Sequence, residues 1–351
     1  MTRFTITRTG LVVVALVVPV LGTVCRADGQ EFKIGIIDLY GLNRVSAGQV
    51  REALTVKEGD TILLADGERP AVVRASEDRL SKSPGIARAQ LTVTCCDQGR
   101  VIVFVGVEER GTTAKRFRAA PRGAARLAVD IVQSGEEFSK ASMRAVEQGD
   151  TAEHRSEGHS FFHDPATRAI QERFVEFAKR DLPQLRLVLR SSSDASQRTL
   201  AAQVLGYAVD KQAVVENLVH AMSDPSEAVR NNAMRALLVF ADTAPSASRT
   251  IPRIPSEPFI ELLSSLVWSD RNKASGALMA LSASRDPDLL ARLRKDALTP
   301  LVEMARWNSA GHALSAFIIL GRIAGYSDDA ARDLWDHGKR EDVIEAAIKG
   351  Q

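Results

Sequence analysis

Ala201-Ala202-Gln203-Val204-Leu205, Ala233-Met234-Arg235-Ala236-Leu237, Ala277-Leu278-Met279-Ala280-Leu281 and Ala313-Leu314-Ser315-Ala316-Phe317 are versions of one phrase, set 32, 44 and 36 residues apart. In each, the first, fourth and fifth positions are small or apolar, which places them on one face of a helix. Alanine on such a face lets a neighbouring helix come close. Each phrase follows another apolar helical stretch, over 182–189, 214–222, 259–268 and 301–307. Polar turns join the two halves: Ser192-Ser193-Asp194, Ser223-Asp224-Pro225 and Ser269-Asp270-Arg271. Helix pairs of this kind cannot each bury an apolar face alone, and stacking gives them a shared core.

Helical periodicity begins at Asp164-Pro165, an N-cap followed by proline at the first helical position, with Ile170, Phe174, Phe177 and Ala178 behind it. The region 164–351 is therefore expected to be all-α. It resembles the HEAT repeat family over about 185 residues, with Asp224 and Val229-Arg230 as the best local match. The resemblance implies a curved array whose Asp and Arg side chains link successive repeats, with weaker copies at Arg198 and Lys273, and a long surface for binding. Residues 244–258, with Pro245, Pro252, Pro255 and Pro258, break the period and read as an inserted loop.

Upstream, Phe32, Ile34 and Ile36 alternate as in a strand, and Ser46 precedes Gln49 at the spacing of a capping box. A helix follows on Val50, Ala53 and Leu54, then a turn at Lys57-Glu58-Gly59-Asp60, then a second helix over 71–80. Ser83-Pro84-Gly85 breaks the chain. Two strands, marked by Leu91, Val93 and Cys95 and by Val101, Val103, Val105 and Val107, flank a hairpin turn at Asp97-Gln98-Gly99.

The order strand, helix, helix, strand, strand over 28–110 resembles a POTRA domain. The matching stretches are residues 45–51, Glu58-Gly59-Asp60, Leu80 with Pro84-Gly85-Ile86, and residues 105–110. The resemblance implies handling of peptides or proteins at a membrane, often by adding a strand to a sheet edge. The alternating segments of a β-barrel do not follow. The fold class expected is α+β, a small β-α-α-β-β domain followed by helical repeats. Residues 111–163 read as a linker, basic at Arg116, Arg118, Arg122 and Arg126, with a short helix over 124–132.

Residues 1–27 have the form of an export signal, with Arg3 and Arg8 before an apolar run over 11–21 and Ala27 as a small residue for cleavage. A retained anchor is the alternative. Removing them takes away Arg3, Arg8 and Arg26 and leaves 43 basic and 44 acidic residues. That near balance gives no basis for a nucleic-acid partner. Export places the protein in the periplasm or cell envelope. Apolar residues make up 45% of the chain and charged ones 26%, a globular composition. Adjacent Cys95 and Cys96 read as one core and one exposed thiol, or else as a redox pair or an intermolecular bridge.

No Gly-x-Ser-x-Gly, Walker-type or Gly-x-Gly-x-x-Gly motif is present. No catalytic residue, cofactor or small-molecule substrate is assigned, and the expectation is a non-enzymatic binder of a protein or peptide, with association to a membrane-embedded assembly possible through the POTRA resemblance. Trp268, Trp307, Arg230 and Arg306 are the candidate partner contacts, although tryptophans at such positions are more often core. The competing reading is metal binding or metal-dependent catalysis by His154, His159 and His163, beside Glu153, Glu157 and Asp164. Its plain alternative is a polar loop that is rich in histidine.

Overall fold

The computed structural model describes residues 30–64, 69–112, 115–156, 158–243 and 253–350. The expected export signal and most of the expected loop over 244–258 lie outside these residues. Among the described residues, no helix is long and apolar enough to cross a membrane.

The chain opens with β1 (Gln30–Tyr40), α1 (Ala47–Ala53), β2 (Thr61–Leu64), α2 (Ala71–Lys82), β3 (Ile86–Asp97) and β4 (Arg100–Glu109). Ser46 caps α1, its hydroxyl accepting from the Gln49 N–H at 3.1 Å. Gln98 and Gly99 both have positive φ, as a two-residue hairpin between twisted strands requires. The sheet runs β2-β1-β4-β3, with β1 and β4 parallel and the outer pairs antiparallel. β2 is an addition to the expected order, because its four residues are too short to show an alternating pattern.

Val101, Val103, Val105 and Val107 face α1 and α2 and make one core with Ile37, Val50, Val73 and Leu80. Ile102 and Phe104, on the opposite face of β4, enter the core of the helical region. This central strand is thus buried on both faces, which explains its unbroken apolar run. Cys95 and Cys96 are both exposed at the far end of β3 and are joined sulfur to sulfur, so the expected core thiol is not found.

Residues 111–163, expected to be a linker with a short helix, carry instead α3 (Val129–Glu147) and a hairpin of β5 (Glu153–Ser156) and β6 (His159–Phe162). Ile131, Phe138, Ala141 and Ala145 bury one face of α3, an amphipathic spacing that starts where the expected helix was to end. Next comes α4 (Pro165–Arg180), capped by Asp164, whose carboxylate accepts from the Thr167 N–H at 2.7 Å.

Helix pairs follow: α5 (Leu182–Ser191) with α6 (Ala195–Leu205), α7 (Lys211–Ala221) with α8 (Glu227–Thr243), α9 (Glu257–Leu262) with α10 (Trp268–Leu281), α11 (Pro287–Ala305) with α12 (Ala310–Ile323), and α13 (Asp328–Asp336) with α14 (Arg340–Lys349). The repeated alanine phrases lie in the second helices α6, α8, α10 and α12, and Ala201, Ala233, Ala277 and Ala313 are fully buried there. The array is a helical repeat solenoid.

A buried ladder ties the pairs together. Arg198 donates through Nε and Nη2 to Asp224 at 2.9 and 2.8 Å, and Arg230 does the same to Asp270 at 2.9 Å twice. Each arginine also donates to the main-chain oxygen six residues before it: Arg198 to Ser192, Arg230 to Asp224, and Arg271 to Ser265. The third rung is therefore Arg271, which reaches on to Glu303 at 2.9 Å, and Lys273 is not a rung.

Candidate functional site

The second helices α6, α8, α10 and α12 pack in a row, each on the next. Other parts of the chain cover this row. The α3 helix packs on α4 and α6, the β5–β6 hairpin on α8, and the second face of the sheet on α10 and α12. Residues 115–128 run extended across the turns between paired helices. The Arg118 N–H donates to Ser223 O at 3.0 Å, the Gly123 N–H to Ser191 O at 2.8 Å, and the Ser193 N–H to Gly123 O at 2.8 Å. Arg118 also reaches Asp224 at 2.7 Å, and the Phe117 ring lies under the Arg230 guanidinium at 3.7 Å. The basic stretch read as a solvated linker is a strap held by main-chain and charged bonds.

The sheet docks beside the later turns. The Tyr40 hydroxyl donates to Leu266 O at 2.7 Å. Asp38 accepts from the N–H groups of Asn308 and Ser309 at 2.8 and 2.9 Å, and burial raises its pKa despite these bonds. Glu303 accepts from the Gly41 and Leu42 N–H groups at 2.6 and 3.2 Å. Gly106 is required at this contact, because a Cβ there would sit 2.6 Å from both Leu266 O and the Tyr40 ring.

Three of the four expected partner contacts are spent on this internal packing. Trp268 is 1% exposed and stacks on Phe104 at 4.8 Å. Trp307 is 2% exposed and lies 5.0 Å from Phe104 and 5.9 Å from Tyr40. Arg230 is buried in the ladder. Arg306 remains at the surface, paired with Glu341. Trp268 and Trp307 are packed core against the chain's own sheet, the alternative given for them from the sequence.

The histidines do not converge. His154 is exposed on β5, and His163 is exposed with Nδ1 3.1 Å from Asp150. His159 is buried, stacked on Tyr207, with Nδ1 3.1 Å from the Lys211 ammonium. Burial, then the Lys211 charge, brings its pKa down to about 4. Among the described residues no cluster of His, Cys, Asp and Glu could hold a metal ion. Among the described residues the three histidines are not brought together, and Glu157, named beside them, lies outside the described residues.

An open cleft of about 260 Å³ remains at the seam of the two domains. One wall is the end of the β3–β4 hairpin, with Arg88, Gln90 and Glu108. The other is the turn before α10 and the middle of α11, with Ser264, Ser265 and Pro300. Lys115 and Phe117, at the start of the strap, close one side. Its charges are paired within the wall: Arg88 with Glu108, Arg271 with Glu303, and Lys115 with Glu261. Behind it Glu109 is buried. Desolvation opposes its ionisation, but the N–H groups of Val45, Asn43 and Arg44 and the Arg44 guanidinium prevail and hold its pKa at about 2. The cleft is neutral, about as polar as it is apolar, and slightly smaller than pockets for drug-sized ligands, which run roughly 300–1,000 Å³.

The outer edge of β3 is guarded. Leu91 turns its N–H and C=O away from β4, where Glu77 Oε1 accepts from the N–H at 2.6 Å and Arg69 donates to the oxygen at 3.0 Å. Arg69 and Glu77 are themselves paired.

No family model and no curated protein matches the chain. Among solved structures, designed armadillo repeat proteins for modular peptide recognition are similar at 16% identity over 53% of this chain and 94% of theirs, with a TM-score of 0.34. The complex of CpcE and CpcF of phycocyanin lyase from Nostoc sp. PCC7120 is similar at 16% identity over 53% of this chain and 90% of its own, with a TM-score of 0.20.

Proposed function

We propose that this is an exported, non-enzymatic scaffold of the cell envelope that binds an extended segment of a protein partner in the seam cleft. The observation that carries this reading is the strap: the repeats hold residues 115–128 extended through main-chain bonds at Ser191, Ser193 and Ser223. The cleft lies where the strap begins and offers similar turn backbone at Ser264 and Ser265. Its neutral, paired walls favour a polar peptide of little net charge, and its size suits a few side chains of a partner better than a cofactor.

Strand, helix, short strand, helix and hairpin in this order, with β1 beside β4 and β3 at the edge, support the POTRA-like reading of the first domain, although β2 between the helices is an addition to the expected order. Association with a membrane-embedded assembly follows from that resemblance. Export rests on the form of residues 1–27.

The test is a photo-crosslinking residue placed in the full chain in its native host at Gln90 or Ser264, both lining the cleft, with exposed Asp288 as control. One defined partner captured from the cleft positions and not from the control supports the reading. Capture at neither cleft position, or equally at all three, overturns it, and an unprocessed cytoplasmic pool overturns export.

A further inference from the structure

Cys95 and Cys96 stand near the end of β3, joined sulfur to sulfur, and both residues are exposed. Side chains of neighbouring residues in a regular strand point to opposite faces. The strand is not regular here. Its pairing with β4 passes from Thr94 opposite Ile102 to Asp97 opposite Arg100, so Cys95 and Cys96 together stand against Val101. This is a β-bulge, in which one extra residue re-aims a side chain. The bulge lets two adjacent sulfurs meet. It lies on the edge strand of the sheet, beside the turn at Gln98-Gly99. The seam cleft is at the other end of the hairpin, at Arg88, Gln90 and Glu108.

A disulfide stabilises a fold mainly by closing a loop of the unfolded chain, and the effect grows with the length of that loop. This one closes nothing beyond its own two residues, so it ties no distant parts of the chain together. What remains is its chemistry. Exposed disulfides are the labile ones, because an incoming thiolate can reach the sulfur. Once opened, the two thiols stay on one bulge, so closing them again is an intramolecular step.

We propose that the Cys95–Cys96 disulfide is a redox site that takes two electrons from a small thiol of the glutathione class and is closed again by that thiol's own disulfide. A thiolate attacks one of the two exposed sulfurs, the S–S bond breaks, and its electron pair leaves on the other cysteine, which takes up a proton. A second thiolate attacks the small thiol's sulfur in the mixed disulfide and frees the first cysteine, which takes up the second proton. One protein disulfide becomes two thiols, and two small thiols become one disulfide. In the reverse direction the neighbouring cysteine expels the small thiol from the mixed disulfide, because both sulfurs are on the same bulge.

The full folded chain, purified in air, is held with reduced glutathione, alkylated with N-ethylmaleimide and digested with trypsin, which leaves both cysteines in the peptide 89–100. The expected result is no alkyl group on this peptide before glutathione is added, two after it, and none again once oxidised glutathione is supplied. A structural disulfide resists reduction by this thiol. After the oxidised treatment the wild type keeps no glutathione adduct, whereas Cys95→Ser and Cys96→Ser each keep one, since no neighbour is left to expel it. Two alkyl groups before any thiol is added, a disulfide that stays closed in reduced glutathione, or a lasting glutathione adduct on the wild type overturns the proposal.

Discussion

Phe104 of β4 stacks on Trp268 of α10 with ring centres 4.8 Å apart and planes inclined by 22°, and this contact joins the small sheet to the repeats. Trp307 and His312 close around the same ring at 5.0 and 5.2 Å. Phe104→Ala should cost about 3–5 kcal/mol, as for other buried aromatics. Urea unfolding followed by tryptophan fluorescence checks this. A loss below about 1 kcal/mol would mean the seam repacks without the ring.

Asp224 receives Arg198 and Arg118 together, all within the ladder. Asp224→Ala strands the fully buried Arg198 and should destabilise by about 3–5 kcal/mol. Arg306→Ala, which breaks the half-exposed pair with Glu341, should cost about 1 kcal/mol or less. Comparable denaturation midpoints for the two variants would contradict the ladder's role.

His312 and His159 both have pKa values lowered to about 4, by burial first and then by Lys273 and Lys211 respectively. In the unfolded chain they take up protons near pH 6.5, but in the folded chain only near pH 4. Below pH 6.5 the unfolded state binds more protons, so stability falls as pH drops from about 6.5 to 4 and levels off beneath. Unfolding midpoints measured across that window should show the slope, and His312→Gln should roughly halve it, the remainder belonging to His159. For His312 the loss is on the order of 3 kcal/mol.

The Arg69–Glu77 pair satisfies both outward main-chain groups of Leu91 on the edge strand. Arg69→Ala with Glu77→Ala uncovers them and invites edge-to-edge pairing. Sedimentation velocity should show larger species than in the wild type at equal concentration. An unchanged distribution would mean that another feature protects the edge.

Gly123 lies against the turn after α5, where a Cβ would meet Ser191 O at 2.5 Å. Gly123→Val should lift the strap without touching the repeat core. Limited trypsin digestion should then cut at Arg118, Arg122 or Arg126 at least about tenfold faster, while the helical circular dichroism holds.

The sequence by itself determined the helical array. The alanine phrases recur at helix-pair intervals, and only stacking can bury their faces, so the pairs from α5 to α12 were legible one by one. The caps at Ser46 and Asp164 and the hairpin turn at Gln98-Gly99 were legible too, because each is a local bond or a local φ. Tertiary structure alone decided what lies on the array. Local pattern shows that a side chain is apolar or charged, not which surface it meets. Val101, Val103, Val105 and Val107 gave one face of β4, but that Phe104 on the other face finds Trp268, 164 residues later, is a long-range fact. The arginines of the strap carry no periodicity and read as solvated, yet Arg118 ends on Asp224. Lys273 sat in a weak copy of the ladder motif, while Arg271, two residues earlier, made the rung because its reach matched Ser265 and Glu303. Nearness along the chain misled for the histidines, since a tight hairpin turns neighbours such as His154 and His159 into different surroundings.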